Sequence, residues 1–300
     1  MAAMTEPQHA TIDDAKLAHL QAWQERSETM SDLVTAAPLR ALSATLDLDD
    51  PAPEDGSAVP ALWHWLYFLP HARQSEIGPD GHPRRGGFLP PVPLPRRMWA
   101  GGRLRWETDN PLRLGQQVQR VSTIRSVQHK TGRSGELLFV LVEHRFSNQD
   151  GLALVEEHDI VYRAAARPGD PVAPPQQPPL AGQAAWSRTI VPDDILLFRY
   201  SALTFNGHRI HYDRQYVTQV EGYPGLIVHG PLIATLLLDL LRRNLQGAKV
   251  VTFDFKALRP TFDLHPFSVH GKPREDGRTI DLWARDHEGF LTMQATATVS

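Results

Sequence analysis

Residues 205–244 read FNGHRIHYDRQYVTQVEGYPGLIVHGPLIATLLLDLLRRN, a polar turn carrying three histidines that runs into the most apolar helix candidate of the chain. From residue 231 to 245 the sequence PLIATLLLDLLRRNL starts on a proline, which suits the first turn of a helix. Apolar side chains occupy nearly every side until Asp239, Arg242 and Arg243. A helix that is apolar almost all round is a buried helix. At 1.5 Å per residue this one spans roughly 22 Å, and with charges at its end it is too short to cross a bilayer. It should form the centre of a domain, wrapped by something else.

The wrapping follows in the sequence. Residues 249–257, KVVTFDFKA, and 290–299, FLTMQATATV, alternate apolar with polar side chains, the period of strands with one buried face. Residues 267–272 and 279–286 add two more strands, with the turn PREDGR at 273–278 between them. One buried helix followed by four antiparallel strands predicts a helix rolled in a curved sheet.

The chain has 300 residues, 41% of them hydrophobic, enough for a substantial core and for about two domains. It contains no cysteine, which excludes disulfides, thiol nucleophiles and cysteine-ligated metal sites. No secretory signal is visible in the first 20 residues and no apolar run is long enough to span a membrane, so the sequence reads as cytoplasmic. A formal net charge of -3 lacks the basic footprint of a nucleic-acid binder. An anionic ligand would have to be held by a local cluster of cations.

Residues 1–12 are polar and should be loose. Apolar spacing over 12–33 (Ala18, Leu20, Trp23, Met30, Leu33) predicts an amphipathic helix, 38–46 a second one, and the acidic stretch 47–59 a loop. The aromatic run PALWHWLYFLP at 60–70 fits either a strand or a short buried helix. After it comes a Pro/Gly-rich loop, 71–97, with Arg84, Arg85, Arg96 and Arg97; a long ordered loop of this kind is more often functional than idle. Four strands are expected at 98–107, 116–131, 135–147 and 152–163. Residues 164–185 contain six prolines and no hydrophobic pattern, as expected for a linker. The division is then a first domain at 1–163, a linker at 164–185 and a second domain at 186–300. Both halves show a helical lead-in, a buried apolar segment and four alternating strands, so their sheets are expected to join side by side.

The chemistry concentrates in 206–213, NGHRIHYD, where Asn206, His208, His211 and Asp213 crowd together after a predicted helix at 193–204. A neutral imidazole is the commonest general base near pH 7; the bland alternative is a solvated turn whose histidines cap backbone groups. His208 and His211 with Asp213 or His229 also have a metal-ligand spacing, which we rank below the acid–base reading, and we assign no metal. In VHGPL, 228–232, a glycine stands just before a helix N-terminus, where free N–H groups and the helix dipole favour developing negative charge. The Gly230 amide is therefore a candidate oxyanion donor, or it only provides a tight turn.

Taken together, residues 206–211 and the His229-Gly230 pair ahead of an apolar helix resemble the hydratase motif of MaoC-like enoyl-CoA hydratases, Asp-x-Asn-Pro-hydrophobic-His. In that match His211 takes the place of the catalytic histidine, Asn206 that of the catalytic aspartate, His208 that of the asparagine and Gly230 that of the oxyanion glycine. Over residues 20–300, the stretches 199–213, 221–232, 256–262, 62–70 and 87–102 resemble the hydroxyacyl-thioester dehydratase type 2 family, which includes mesaconyl-C4-CoA and itaconyl-CoA hydratases.

The resemblance implies an α+β double hot-dog fold, two helix-wrapped antiparallel sheets in tandem forming one continuous sheet. It implies a hydro-lyase that hydrates a short 2-enoyl-CoA, or dehydrates the 3-hydroxyacyl thioester, with a carboxylated acyl group such as mesaconyl-C4-CoA or itaconyl-CoA. Asn206, His211 and Gly230 are the expected catalytic residues. His208, Arg209, His229, Arg96, Arg97 and Arg259 are the expected substrate-binding set, the arginines for CoA phosphate or a substrate carboxylate. No cofactor is expected; the partner is the acyl-CoA, with a homodimer left open and no nucleic acid or membrane. The rivals are a hot-dog thioesterase and a non-catalytic acyl-thioester binding module. Asn206 departs from the motif, since an amide can neither give nor take the proton that an aspartate would.

Overall fold

The computed structural model describes residues 12–132, 135–164, 174–178 and 182–300. Most of the expected linker at 164–185 lies outside the described residues, as do residues 1–11. The first half supplies five strands: β1 (Ser27–Leu33), β2 (Arg96–Trp106), β3 (Gln117–Gly132), β4 (Gly135–Asn148) and β5 (Gly151–Arg163). The second supplies β6 (Trp186–Ile190), β7 (Val250–Ala257), β8 (Phe267–Pro273), β9 (Thr279–Arg285) and β10 (Leu291–Val299). All ten form one antiparallel sheet in the order β1-β3-β4-β5-β2-β7-β10-β9-β8-β6, the continuous double sheet expected of a double hot-dog.

The seam between the halves is the β2–β7 pair, from Gly101 opposite Lys256 to Arg105 opposite Thr252. Two glycines make it possible. A Cβ on Gly101 would lie 2.4 Å from the Phe255 carbonyl oxygen, and one on Gly102 would lie 2.9 Å from both the Glu157 carbonyl and the Phe255 ring. Glycine inside a strand here marks the close approach of another backbone.

The central helix, α5 by order in the chain, runs Gly230–Asn244, and every residue from Leu232 to Leu241 is buried. Its one buried carboxylate, Asp239, accepts from Arg188 at 2.7 Å and from Arg243 at 2.8 Å, the pairing that buried charge requires. Each leucine so buried stabilises the fold by about 2 kcal/mol relative to exposure. Four shorter helices precede it: α1 (Asp14–Gln21), α2 (Ala36–Thr45), α3 (Asp194–Leu203) and α4 (Arg214–Gln219). Asp13, Asp193 and Asp213 cap α1, α3 and α4 by accepting from the N–H groups of Lys16, Leu196 and Tyr216.

Three local expectations change. The helix predicted over 12–33 stops at Gln21, and Ser27–Leu33 is a strand paired residue by residue with β3. Sheet pairing outweighs a helical periodicity that was weak over SETMSDL. The aromatic run at 60–70 is a single 3₁₀ turn, Trp63–Leu66, between Leu62 and Phe68, both at positive φ (70° and 55°). Its flanking prolines leave no room for a longer helix. Strand β6 and helix α4, unforeseen in the sequence, complete the second half. Among the described residues no helix is long and apolar enough to cross a membrane.

Candidate active site

Helix α3 ends in a left-handed turn: Phe205 has φ 47° and the Asn206 N–H returns to the Ser201 carbonyl at 2.8 Å. The reversal projects Asn206, whose side-chain oxygen accepts from the His208 N–H at 3.0 Å. A 3₁₀ turn, Arg209–His211, then carries His211 into the protein, where it is only 8% exposed.

The 226–229 segment fixes His211 from the other side. Ile227 donates its N–H to the Ile210 carbonyl at 3.0 Å, and Val228 donates to Thr261 at 2.8 Å. The Ile227 carbonyl faces His211 Nδ1 at 2.7 Å. A carbonyl only accepts, so Nδ1 carries the proton and Nε2 keeps its lone pair. His229 stacks on His211, with ring centroids 3.7 Å apart and planes at 18°. Its Nε2 meets the Ser201 hydroxyl at 2.8 Å. Burial pushes His211 down to about 4, against the bond to Ile227 that raises it. His229 is held well below its ordinary value, by burial first and then by its histidine neighbours. Both rings are therefore neutral at pH 7.

Gly230 opens α5 directly after His229. No side chain caps this helix, and Pro231 follows in its first turn, so the leading N–H groups are left without intrahelical acceptors. A Cβ on Gly230 would meet no atom within 4 Å, so the space beside its Cα is open. The structure thus brings Asn206, His208, His211, His229 and Gly230 together in a chain of neighbours, with neutral imidazoles next to the uncapped N-terminus of α5.

The arginines divide. Arg96 donates to the Glu221 carbonyl at 2.7 Å and to the Tyr223 hydroxyl at 3.1 Å. Arg209 pairs with Asp213 at 2.8 Å, donates to the Pro79 carbonyl at 2.9 Å and lies over the Tyr216 ring. Arg259 pairs with Asp286 at 3.2 Å. Arg97, opposite Tyr162 in the β2–β5 ladder, has no carboxylate partner among the described residues, and its charge lowers His82, His158 and His208.

Sequence reasoning missed what the first half contributes. The Arg209 N–H donates to the Asp80 carbonyl at 2.9 Å, and the His82 ring lies 4.1 Å from that of His208. Gly81, at φ 89°, packs so closely on Gly207 that a Cβ would fall 1.7 Å from the Gly207 oxygen. The only signal was the length and Pro/Gly content of the 71–97 loop, since nothing local shows where a loop will dock.

A sequence profile of the hydroxyacyl-thioester dehydratase type 2 family matches residues 62–263. Mesaconyl-C(4)-CoA hydratase of Chloroflexus aurantiacus is 48% identical over 275 residues, 92% of this chain and 96% of that protein. Among solved structures, a MaoC-like dehydratase from Phytophthora capsici superposes with a TM-score of 0.68 at 15% identity, covering 95% of this chain and 98% of its own. A Mycobacterium tuberculosis protein described as having a double hotdog fold does so at 0.57 and 12% identity, over 92% of this chain and 96% of its own. With the fold matched at low identity and the sequence matched along nearly its whole length, the chain belongs to the hydroxyacyl-thioester dehydratase type 2 family and is a hydro-lyase of acyl thioesters.

Proposed function

We propose that the protein reversibly hydrates a short, carboxylated 2-enoyl-CoA of the mesaconyl-C4-CoA type, with His211 as general base and acid. The observation that carries this is the Nδ1 contact to the Ile227 carbonyl at 2.7 Å, which leaves Nε2 as a neutral, buried base beside an uncapped helix N-terminus. In the hydration direction Nε2 takes a proton from water as the water oxygen bonds to C3. The π pair moves toward the thioester oxygen, and the Gly230 N–H stabilises the charge that builds there. One such donor lowers a barrier by about 3 kcal/mol, and one positioned acid–base group contributes on the order of 100- to 10,000-fold.

Asn206 holds the turn through His208 and presents its amide to water or thioester. His208 and His229 form the walls around the reacting carbons. Arg97, without a carboxylate partner among the described residues, is assigned to an anionic group of the acyl-CoA; Arg96, Arg209 and Arg259 shape the cleft through their own partners. The 48% identity to a mesaconyl-C(4)-CoA hydratase supports the substrate class. We place the enzyme in the cytoplasm, where acyl-CoA and a cysteine-free chain are both at home, and leave pairing of two chains to a mass measurement in solution.

The test mixes purified protein with crotonyl-CoA, mesaconyl-C4-CoA and itaconyl-CoA and follows enoyl-thioester absorbance together with free thiol. Loss of absorbance without thiol, fastest with mesaconyl-C4-CoA, is expected. Thiol release would make the protein a thioesterase. CoA binding with no turnover would make it a binding module.

A further inference from the structure

The site built above lacks the carboxylate that its motif calls for, because residue 206 is asparagine. The loop of the first half that docks on the catalytic turn brings one. Asp80 accepts from the His82 backbone N–H at 3.1 Å, and its other oxygen faces His82 Nδ1 at 3.3 Å. The His82 ring packs on His208 at 4.1 Å, and His208 lies edge-on to His211 with centroids 5.4 Å apart. The loop is anchored there by the Arg209 N–H on the Asp80 carbonyl, the Arg209 guanidinium on the Pro79 carbonyl, and the Gly81–Gly207 approach. All of this contact is with the turn that holds Asn206 and His211.

We propose that Asp80 and His82 form a carboxylate–imidazole pair that stands in for the aspartate missing at position 206, with His82 as the second proton-transfer group of the reaction and Asp80 as its positioning residue. The proposal rests on the reading of His211 as the first such group. With Nδ1–H held by Asp80, His82 Nε2 is the nitrogen left to exchange a proton with substrate; burial and then Arg97 lower His82 while Asp80 opposes them, which makes its imidazolium a strong acid toward the enolate. In hydration, His211 Nε2 takes a proton from water while the water oxygen bonds to C3. The π pair passes to the thioester oxygen as an enolate, and its collapse draws a proton from the His82 imidazolium to C2. The proton on His211 then returns to His82 through water or through His208, whose ring adjoins both. The sum is one H₂O added across C2=C3, and dehydration runs the same steps backward.

Polar atoms of Asp80, His82 and His208 also lie within 4.8 Å of one another, a spacing a divalent cation could bridge. Two observations weigh against a divalent cation: Asp80 is already engaged by His82 Nδ1, and Arg97 puts a positive charge beside both histidines, which a doubly charged ion would feel more strongly than a single proton. The charged and titratable groups facing His82 are Asp80, Arg85, Arg97, His208 and His211.

The experiment measures kcat and KM against pH on the full chain. His82→Gln should lower kcat about 100-fold with KM within a few-fold, and abolish the alkaline limb of the kcat profile, which reports a group needed in its protonated form. Asp80→Asn should lower kcat about tenfold and move that limb to lower pH, since losing an adjacent anion weakens the imidazolium. Asn206→Asp placed in the His82→Gln protein should recover at least tenfold by restoring the motif carboxylate. Thermal unfolding of each variant, run in parallel, shows whether the chain is folded. If folded His82→Gln keeps its alkaline limb, or retains more than half of wild-type kcat, the proposal is wrong. Loss of activity on chelation with recovery on adding Zn²⁺ would overturn it in favour of a metal. A failure of the function itself looks different: wild type would hydrate none of the enoyl-CoAs, whereas failure of this proposal leaves wild type active and His211→Ala dead.

Discussion

The two halves of the sheet are covered differently: one core runs from α5 into Leu62, Trp63 and Phe146 of the first half, and a second, smaller one belongs to the first half alone. Strands β6 to β10 curve around one continuous 15-residue helix whose middle is wholly buried. In the first half no single long helix does this; the shorter helix α2, a 3₁₀ turn, and helix α1 with the Val92 and Leu94 loop share the task. Under that turn lies a buried polar network: Glu156, 3% exposed, meets His64 at 2.9 Å and accepts from Trp65 at 3.0 Å. His144 faces the Ser122 hydroxyl at 2.8 Å, and the Trp99 ring lies tilted against that of His158, centroids 4.0 Å apart. Burial raises Glu156, but the His64 bond and nearby histidines outweigh it and hold it at about 2. A full helix gives one half a rigid wall with a charged mouth at its N-terminus. Its loss in the other frees a long loop to reach across the seam.

That contrast can be broken in four ways. The largest effect is expected from acid. Burial holds His144 and His211 at about 4 and His158 at about 3, in both halves. The unfolded chain takes up these protons near pH 6.5 and the folded chain does not, so stability is full above pH 6.5 and is lost as pH falls toward 4. Each unit of depression corresponds to about 1.4 kcal/mol, so chemical denaturation at pH 5 should show most of the neutral-pH stability gone. A flat stability profile would mean that these rings are not buried as described.

Next, His211→Ala should lower kcat/KM by about 1,000-fold, whereas His144→Ala, a half-buried histidine of the other half that is lowered to about the same value, should cost stability while leaving kcat within a few-fold. Equal losses of activity would erase the distinction between a catalytic half and a supporting one. Gly230→Pro removes the N–H while keeping a residue suited to the first helical turn, and should lower kcat about 100-fold; Gly230→Ala, whose Cβ meets open space, should stay within a few-fold. The smallest effect is at the seam. Gly101→Ala drives a Cβ against Phe255 and should cost about 2 kcal/mol, a fall of roughly 5 °C in Tm by calorimetry.

Much of the strand and helix content was legible because it rests on local periodicity. The alternation in FLTMQATATV and the apolar run PLIATLLLDLL each specify their element without knowledge of a partner. The His211 and Gly230 elements were legible because they lie close together in the chain. What escaped were features made by distant partners. SETMSDL became a strand because β3 offered an open edge. Asp80 and His82 reached the site because Gly81 and Gly207 can touch, though 126 positions separate those two glycines. A turn sequence such as PDGHP specifies that the chain reverses, and nothing more.

By itself the sequence determined a buried helix, the strands around it and a histidine turn leading to a free helix N-terminus, since those follow from hydrophobic period and capping chemistry within short windows. Only the tertiary structure decided that the two sheets fuse along β2 and β7, that His211 points Nδ1 at Ile227, and that a carboxylate of the first half sits against the turn of the second. Those outcomes depend on steric clearance and hydrogen-bond partners contributed by residues far apart in the chain, and such contacts exist only once the backbone has closed.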